Sequence, residues 1–182
     1  MSMEAIAQLL PDYAKDLKLN LSSVLRPMEL TPTQTWGTAV ACAFAVRNPA
    51  LLRAVMDEAS RNVDGTTVAA AKSAGAVMAM NNVYYRFQTL SGHEKYSTLP
   101  ARLRMNVLRT HGADPADFEL WCLAVSALNG CSKCVVAHER VVKEKGLSEE
   151  QILASVRIAS VLNGVAQVLD AEQMGVEALA TV

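Results

Sequence analysis

The segment "NGCSKCVVAHER", Asn129 to Arg140, sets two cysteines three residues apart and a histidine four residues after the second. Residues three or four apart on a helix share a face. Cys131 and Cys134 can therefore approach closely enough to bond, and His138 lies one turn beyond Cys134. The Asn129-Gly130 pair ahead of them marks a break, so a helix is expected to start near Cys131. Unpaired backbone N–H groups at a helix start favour negative charge and lower a thiol's pKa. Lys133, between the cysteines, adds a cation. A thiolate is the nucleophile, and a histidine one turn away can accept the thiol proton.

Glu119 precedes this group within the otherwise apolar run "FELWCLAV". By itself it reads as a solvent-facing residue. From the preceding helix it can also fold back to orient His138, directly or through water. Spacing alone leaves three readings of the cysteine pair open: redox use, a metal site and an incidental pair. Zinc takes about four ligands, and beside Cys131, Cys134 and His138 only Glu119 offers a fourth. Redox use is the favoured reading.

The remaining candidates read blandly. Cys42 in "AVACAFAV" and Cys122 in "ELWCLAV" sit in apolar helical runs and are expected to be small buried hydrophobes. His93 and His111 lie in polar connections and are expected at the surface or in turns. Four cysteines in 182 residues are too few for a disulfide scaffold.

The elements that must position the site are helices. Thr31-Pro32 is an N-cap followed by a proline at the first helical position. Asn48-Pro49 restarts the chain into a second helix, and a long helical stretch follows the Asp64-Gly65 break. The Gly-, Ser- and Pro-punctuated segment "SGHEKYSTLPARLRM" reads as a connection with short helices. Asp114-Pro115 opens a further helix that ends at Asn129-Gly130. The helix carrying the cysteines runs towards Gly146, a C-cap residue. Ser148 with Gln151 forms a capping-box pattern ahead of the last helix. No stretch alternates apolar and polar residues in the way a strand does. The expected fold is all-α.

The two halves resemble each other. Trp36 and Trp121 each lead a helix with Ala-Val three residues on, Lys72 and Arg157 keep the same offset, and "MNNV" matches "LNGV". This predicts a single domain over residues 1–182 built from two similar helical halves, 1–95 without the cysteine motif and 96–182 with it.

Apolar residues make up 51% and charged residues 19% of the chain, and the formal net charge is −1. That balance gives no reason to expect nucleic acid or an anionic membrane as a partner. No run of ~18 consecutive apolar residues is present, and the N-terminus does not read as a secretory signal. The expected location is the cytoplasm.

The constellation of Glu119, Cys131-x-x-Cys134 and His138, in a helical chain with a cysteine-motif-free first copy, resembles the alkyl hydroperoxidase D (AhpD) family of the carboxymuconolactone decarboxylase-like group. Both "NGCSKCVVAHE" and "LNGVAQ" look like that family, and length and helix order agree through nearly the whole chain. The resemblance implies an AhpD-like compact helical bundle, commonly a homotrimer, that reduces organic hydroperoxides by a dithiol–disulfide cycle. It implies that Cys134 is the peroxidatic nucleophile and Cys131 the resolving thiol, the two closing a redox disulfide. His138 would be the general base and proton relay, and Glu119 would orient it. Helix-terminus electrostatics alone would instead make Cys131 the more acidic thiol.

The resemblance further implies no bound cofactor and no metal. Electrons would come from a dihydrolipoyl group on a partner acyltransferase, kept reduced by dihydrolipoamide dehydrogenase. The protein would also act as disulfide reductase for an AhpC-type peroxiredoxin. Lys133 departs from family members with histidine there. With a reference pKa near ~10.4, lysine can favour a thiolate by charge but shuttles protons poorly at neutral pH. Two other readings remain: a carboxymuconolactone decarboxylase-like enzyme, which has no use for the cysteines, and a non-catalytic redox-sensing or binding protein.

Overall fold

Most of the longer helices begin at side chains that satisfy the free N–H groups of the first turn. The computed structural model describes residues 2–180, with side chains described to residue 173. After two N-terminal helices, α1 (Met3–Gln8) and α2 (Lys15–Val24), comes α3 (Pro32–Val46). At its start Thr31 accepts from the Gln34 N–H at 3.1 Å, and the Gln34 side chain accepts from the Thr31 N–H at 3.1 Å. Asn48 caps α4 (Pro49–Asn62), Asp64 caps α5 (Gly65–Ser91) and Asp114 caps α8 (Pro115–Leu128). Between α5 and α8 lie only the short helices α6 (Glu94–Thr98) and α7 (Val107–Thr110). Helices α9 (Ser132–Glu144) and α10 (Glu149–Ala180) complete the chain. Ser148 and Gln151 make the reciprocal capping contacts at the start of α10. Among the described residues there is no strand. The fold is all-α.

Two triplets of helices run in the same order of length. Helices α3, α4 and α5 contain 15, 14 and 27 residues, and α8, α9 and α10 contain 14, 13 and 32. The leading helix of each triplet is central. Residues Gln34 to Ala43 of α3 are all buried, as are Phe118 and Leu120 to Ser126 of α8. A helix that is apolar on every side needs neighbours on every side. Helix α3 packs against α4, α5, α8 and α10, and α8 packs against α3, α5, α9 and α10.

Helix α10 passes the length and hydropathy test for a membrane-crossing segment over Glu149–Gln173. Its residues Ile158, Leu162 and Val165 are fully buried and join the same hydrophobic core as α3 and α8. Part of its apolar character therefore serves helix packing within this fold.

The α3–α8 contact depends on a missing side chain. Trp121 is fully buried, and its ring fills the space beside Gly37. A Cβ on residue 37 would stand 2.2 Å from Trp121 Cε2 and Cζ2. Gly37→Ala gains about 1 kcal/mol of helix propensity but forces a fully enclosed indole to move, an overpacking cost of about 2–3 kcal/mol. The expected net loss is about 1–2 kcal/mol, seen as a Tm lower by about 2–8 °C in thermal circular dichroism.

Candidate active site

The turn between α8 and α9 places the cysteines. Gly130 adopts φ = +64°, a left-handed conformation that side chains disfavour. Its N–H donates to the Ala127 carbonyl at 3.1 Å, and the Cys131 N–H donates to the Ser126 carbonyl at 3.1 Å. These are the two bonds of a Schellman motif. Cys131, the residue that closes α8, is at the same time the N-cap of α9. Cys134 therefore falls in the first turn of α9, where backbone N–H groups point outward without helical partners.

Cys131 and Cys134 are joined by a disulfide, with their Cα atoms 5.3 Å apart. Cys131 is fully buried and Cys134 is 5% exposed. One turn further along α9, His138 Nδ1 meets Glu119 Oε2 at 2.6 Å. Both side chains are partly buried, at 14% and 23% exposure. The carboxylate thus reaches the ring directly, from α8 across to α9. A carboxylate on Nδ1 fixes ring orientation and leaves Nε2 as the nitrogen available to a reacting group. Two contacts result: the Cys131–Cys134 disulfide at the start of α9, and the Glu119–His138 bond that joins α8 to α9 one turn further along.

Lys133 lies between the sulfurs in sequence, but its ammonium is engaged elsewhere. It donates to Gln88 Oε1 of α5 at 2.8 Å and to Ser97 Oγ of α6 at 3.4 Å, and it lies over the Tyr85 ring, 5.7 Å from the centroid. The side chain ties α9 to α5 and α6.

The other two cysteines are separate from this group and fully buried. Burial pushes the Cys42 thiol up to about 12. Burial also raises the Cys122 thiol well above its ordinary value, and the nearby Glu119 charge adds to the effect. Both therefore stay protonated at neutral pH and are poor nucleophiles. After reduction, iodoacetamide at pH 8 is expected to label Cys134 first among the four, with Cys42 and Cys122 reacting only after denaturation; peptide mapping checks this.

His93 is exposed. His111 lies in the connection between α7 and α8, as expected, and is half-buried there, with its ring stacked on Phe118 at 3.9 Å between centroids and 11° between planes. Its Nδ1 accepts from the Ala113 N–H at 3.1 Å. Burial lowers its pKa, against the opposing pull of Glu119 and then Asp114. A short polar loop gave no sign of this, because the partner ring comes from the next helix.

Three further residues beside the site were not singled out by the sequence. Asn82 and Arg86 of α5 and Ser126 of α8 hold the turn ahead of Cys131 through polar contacts. Their nearest sequence cue is the "MNNV" half of the internal repeat. Among the described residues, no group of three or more His, Cys, Asp or Glu side chains is placed to hold a metal ion.

Comparison with known proteins agrees in extent and in kind. Residues 94–176, which include the whole α8–α9 site, match the family model described as the carboxymuconolactone decarboxylase family. The chain is 56% identical to the alkyl hydroperoxide reductase AhpD of Solibacter usitatus over 172 residues, covering 94% of this chain and 97% of that one. It is 53% identical to the AhpD of Acidobacterium capsulatum, covering 96% of each. The AhpD of Streptomyces griseus is 48% identical, covering 94% of this chain and 97% of its own. Identity at this level across nearly the full length of each chain places the protein in the AhpD family, within the carboxymuconolactone decarboxylase group.

Proposed function

We propose that the protein is a thiol peroxidase that reduces organic hydroperoxides through the Cys131–Cys134 pair. The observation that carries the reading is the pairing of a disulfide at the start of α9 with a carboxylate-bound imidazole one turn along. Membership in a family whose members are named alkyl hydroperoxide reductases supports it.

In the reduced enzyme, His138 Nε2 accepts the proton of the Cys134 thiol. The thiolate attacks the terminal oxygen of the hydroperoxide, so that an S–O bond forms and the O–O bond breaks. The leaving alkoxide takes the proton from His138 and departs as an alcohol, leaving Cys134 as a sulfenic acid. The Cys131 sulfur then attacks the Cys134 sulfur, forming the disulfide and releasing water. Two electrons have passed from two thiols to the peroxide. Glu119 holds the ring and stabilises its cationic form during both transfers. Cys134 rather than Cys131 is assigned the attack because it stands one turn from His138, although Cys131 occupies the N-cap.

The disulfide returns to two thiols by exchange with a dithiol. The proposed donor is a dihydrolipoyl group on an acyltransferase, recharged by dihydrolipoamide dehydrogenase. The same dithiol would reduce an AhpC-type peroxiredoxin, making the protein its adaptor. No bound cofactor is needed on this scheme, because sulfur carries both electrons. The family resemblance further supports a cytoplasmic homotrimer. Lys133, held by Gln88 and Ser97, is assigned no proton-transfer step.

The test couples NADH oxidation to tert-butyl hydroperoxide through dihydrolipoamide dehydrogenase and lipoamide. The reading requires turnover that depends on all components. Oxidation of the thiols by peroxide without turnover would favour a redox sensor and overturn it.

A further inference from the structure

Helix α5 makes an unusual contact with the turn that carries Cys131. Asn82 is 1% exposed and Ser126 fully buried, on helices whose other buried residues include Ala74, Met78 and Val125. A buried amide left unpaired is costly, and both ends of this one are used. Asn82 Nδ2 donates to Ser126 Oγ at 3.0 Å, and Asn82 Oδ1 accepts from Asn129 Nδ2 at 2.9 Å. The Ser126 hydroxyl in turn donates to Met78 Sδ at 3.5 Å. One turn along α5, an Arg86 guanidinium nitrogen donates to the Asn129 carbonyl at 2.6 Å.

The contacts converge on two residues of the α8 terminus, Ser126 and Asn129. Ser126 is the residue whose carbonyl binds the Cys131 N–H, Asn129 is the C-cap, and Gly130 is the left-handed residue between Asn129 and Cys131. A Schellman turn already closes α8 by its own backbone bonds. The added side-chain contacts therefore do more than terminate a helix: they anchor the turn to a third helix that carries neither cysteine. Arg86 also supplies a cation to the C-terminal end of α8, where the helix dipole favours one.

We infer that Asn82 and Arg86 are positioning residues for the redox pair, holding Cys131 within bonding reach of Cys134 when both are thiols. The inference rests on the reading that this disulfide opens and closes in the working protein. Closing a disulfide costs the freedom of the segment that bears it. With the turn anchored to α5, much of that freedom is already lost in the dithiol. Releasing the anchor restores motion to the dithiol only, so the equilibrium shifts towards the reduced form and the pair becomes easier to reduce.

The experiment is a redox titration of the full chain in glutathione buffers of graded ratio, read by alkylation and mass. In Asn82→Ala and in Arg86→Gln the equilibrium constant for disulfide formation is expected to fall about tenfold, which corresponds to about 30 mV for a two-electron couple. Asn48→Ala is the control. Asn48 is also a buried amide with two hydrogen bonds, to the Leu51 N–H and to Asp170, but it caps α4. It should lower Tm and leave the equilibrium constant unchanged.

If Asn82→Ala does not fold, Arg86→Gln carries the test, because Arg86 reaches the turn from a half-buried position. Equilibrium constants within twofold of the wild type in the folded variants would overturn the inference. An equal shift in Asn48→Ala would also overturn it. The titration contains no hydroperoxide, so its result is independent of whether the protein turns over peroxide.

Discussion

Cys134→Ser is expected to abolish hydroperoxide turnover, by roughly 10³-fold or more, while helicity and Tm stay close to those of the wild type. Serine keeps the shape of cysteine with a smaller heteroatom at this 5%-exposed position, so the packing cost relative to the reduced wild type is modest. The chemical cost is large: a serine hydroxyl is not ionised near neutral pH and cannot take up and release the peroxide oxygen as a sulfenic acid. Cys131→Ser should behave differently. Cys134 still attacks, one equivalent of alcohol forms, and the sulfenic acid persists because the sulfur that would condense with it is gone. Dimedone labelling with intact-mass analysis distinguishes the two variants: an adduct on Cys134 in Cys131→Ser, and none on Cys131 in Cys134→Ser. An adduct on Cys131 alone would reverse the assignment and give priority to the N-cap position over the imidazole.

His138→Ala is expected to lower kcat/KM for tert-butyl hydroperoxide by about 10²–10⁴ at pH 7, the usual range for loss of a positioned general base. Much of that loss should be recovered as pH rises past about 8.5, where an ordinary thiol ionises without help. Glu119→Gln should cost less, roughly 10-fold. The amide oxygen can still accept from Nδ1–H and hold the ring, but it no longer offers a negative charge to the imidazolium formed during transfer. The ordering follows from the 2.6 Å contact between the two side chains. Stopped-flow oxidation across pH 6–9 reads both variants; a Glu119→Gln defect as deep as that of His138→Ala would show that holding the ring by a neutral partner contributes little.

Much of this protein is determined locally. Thr31-Pro32, Asn48-Pro49, Asp64, Asp114-Pro115 and Ser148 with Gln151 each begin a helix because a side chain only three residues or fewer away satisfies an N–H group that no other turn can reach. The left-handed Gly130 and Gly146 stop helices for equally local reasons. The three-residue spacing of the cysteines and the one-turn step to His138 follow from helix geometry once α9 forms.

Other features were decided only when helices distant in sequence met. Glu119 could have faced solvent; the packing of α8 against α9 turned it onto His138, 19 residues away. Lys133 reads as a cation beside two sulfurs, yet α5 and α6 bring Gln88 and Ser97 to its ammonium. His111 reads as a loop residue, yet the start of α8 places the Phe118 ring beneath it. Asn82 and Arg86 lie more than 40 positions before the turn they hold. Periodicity tells which residues share a face of one helix. Which face meets which partner depends on how whole helices pack, and here that packing turns on contacts such as the indole of Trp121 against Gly37.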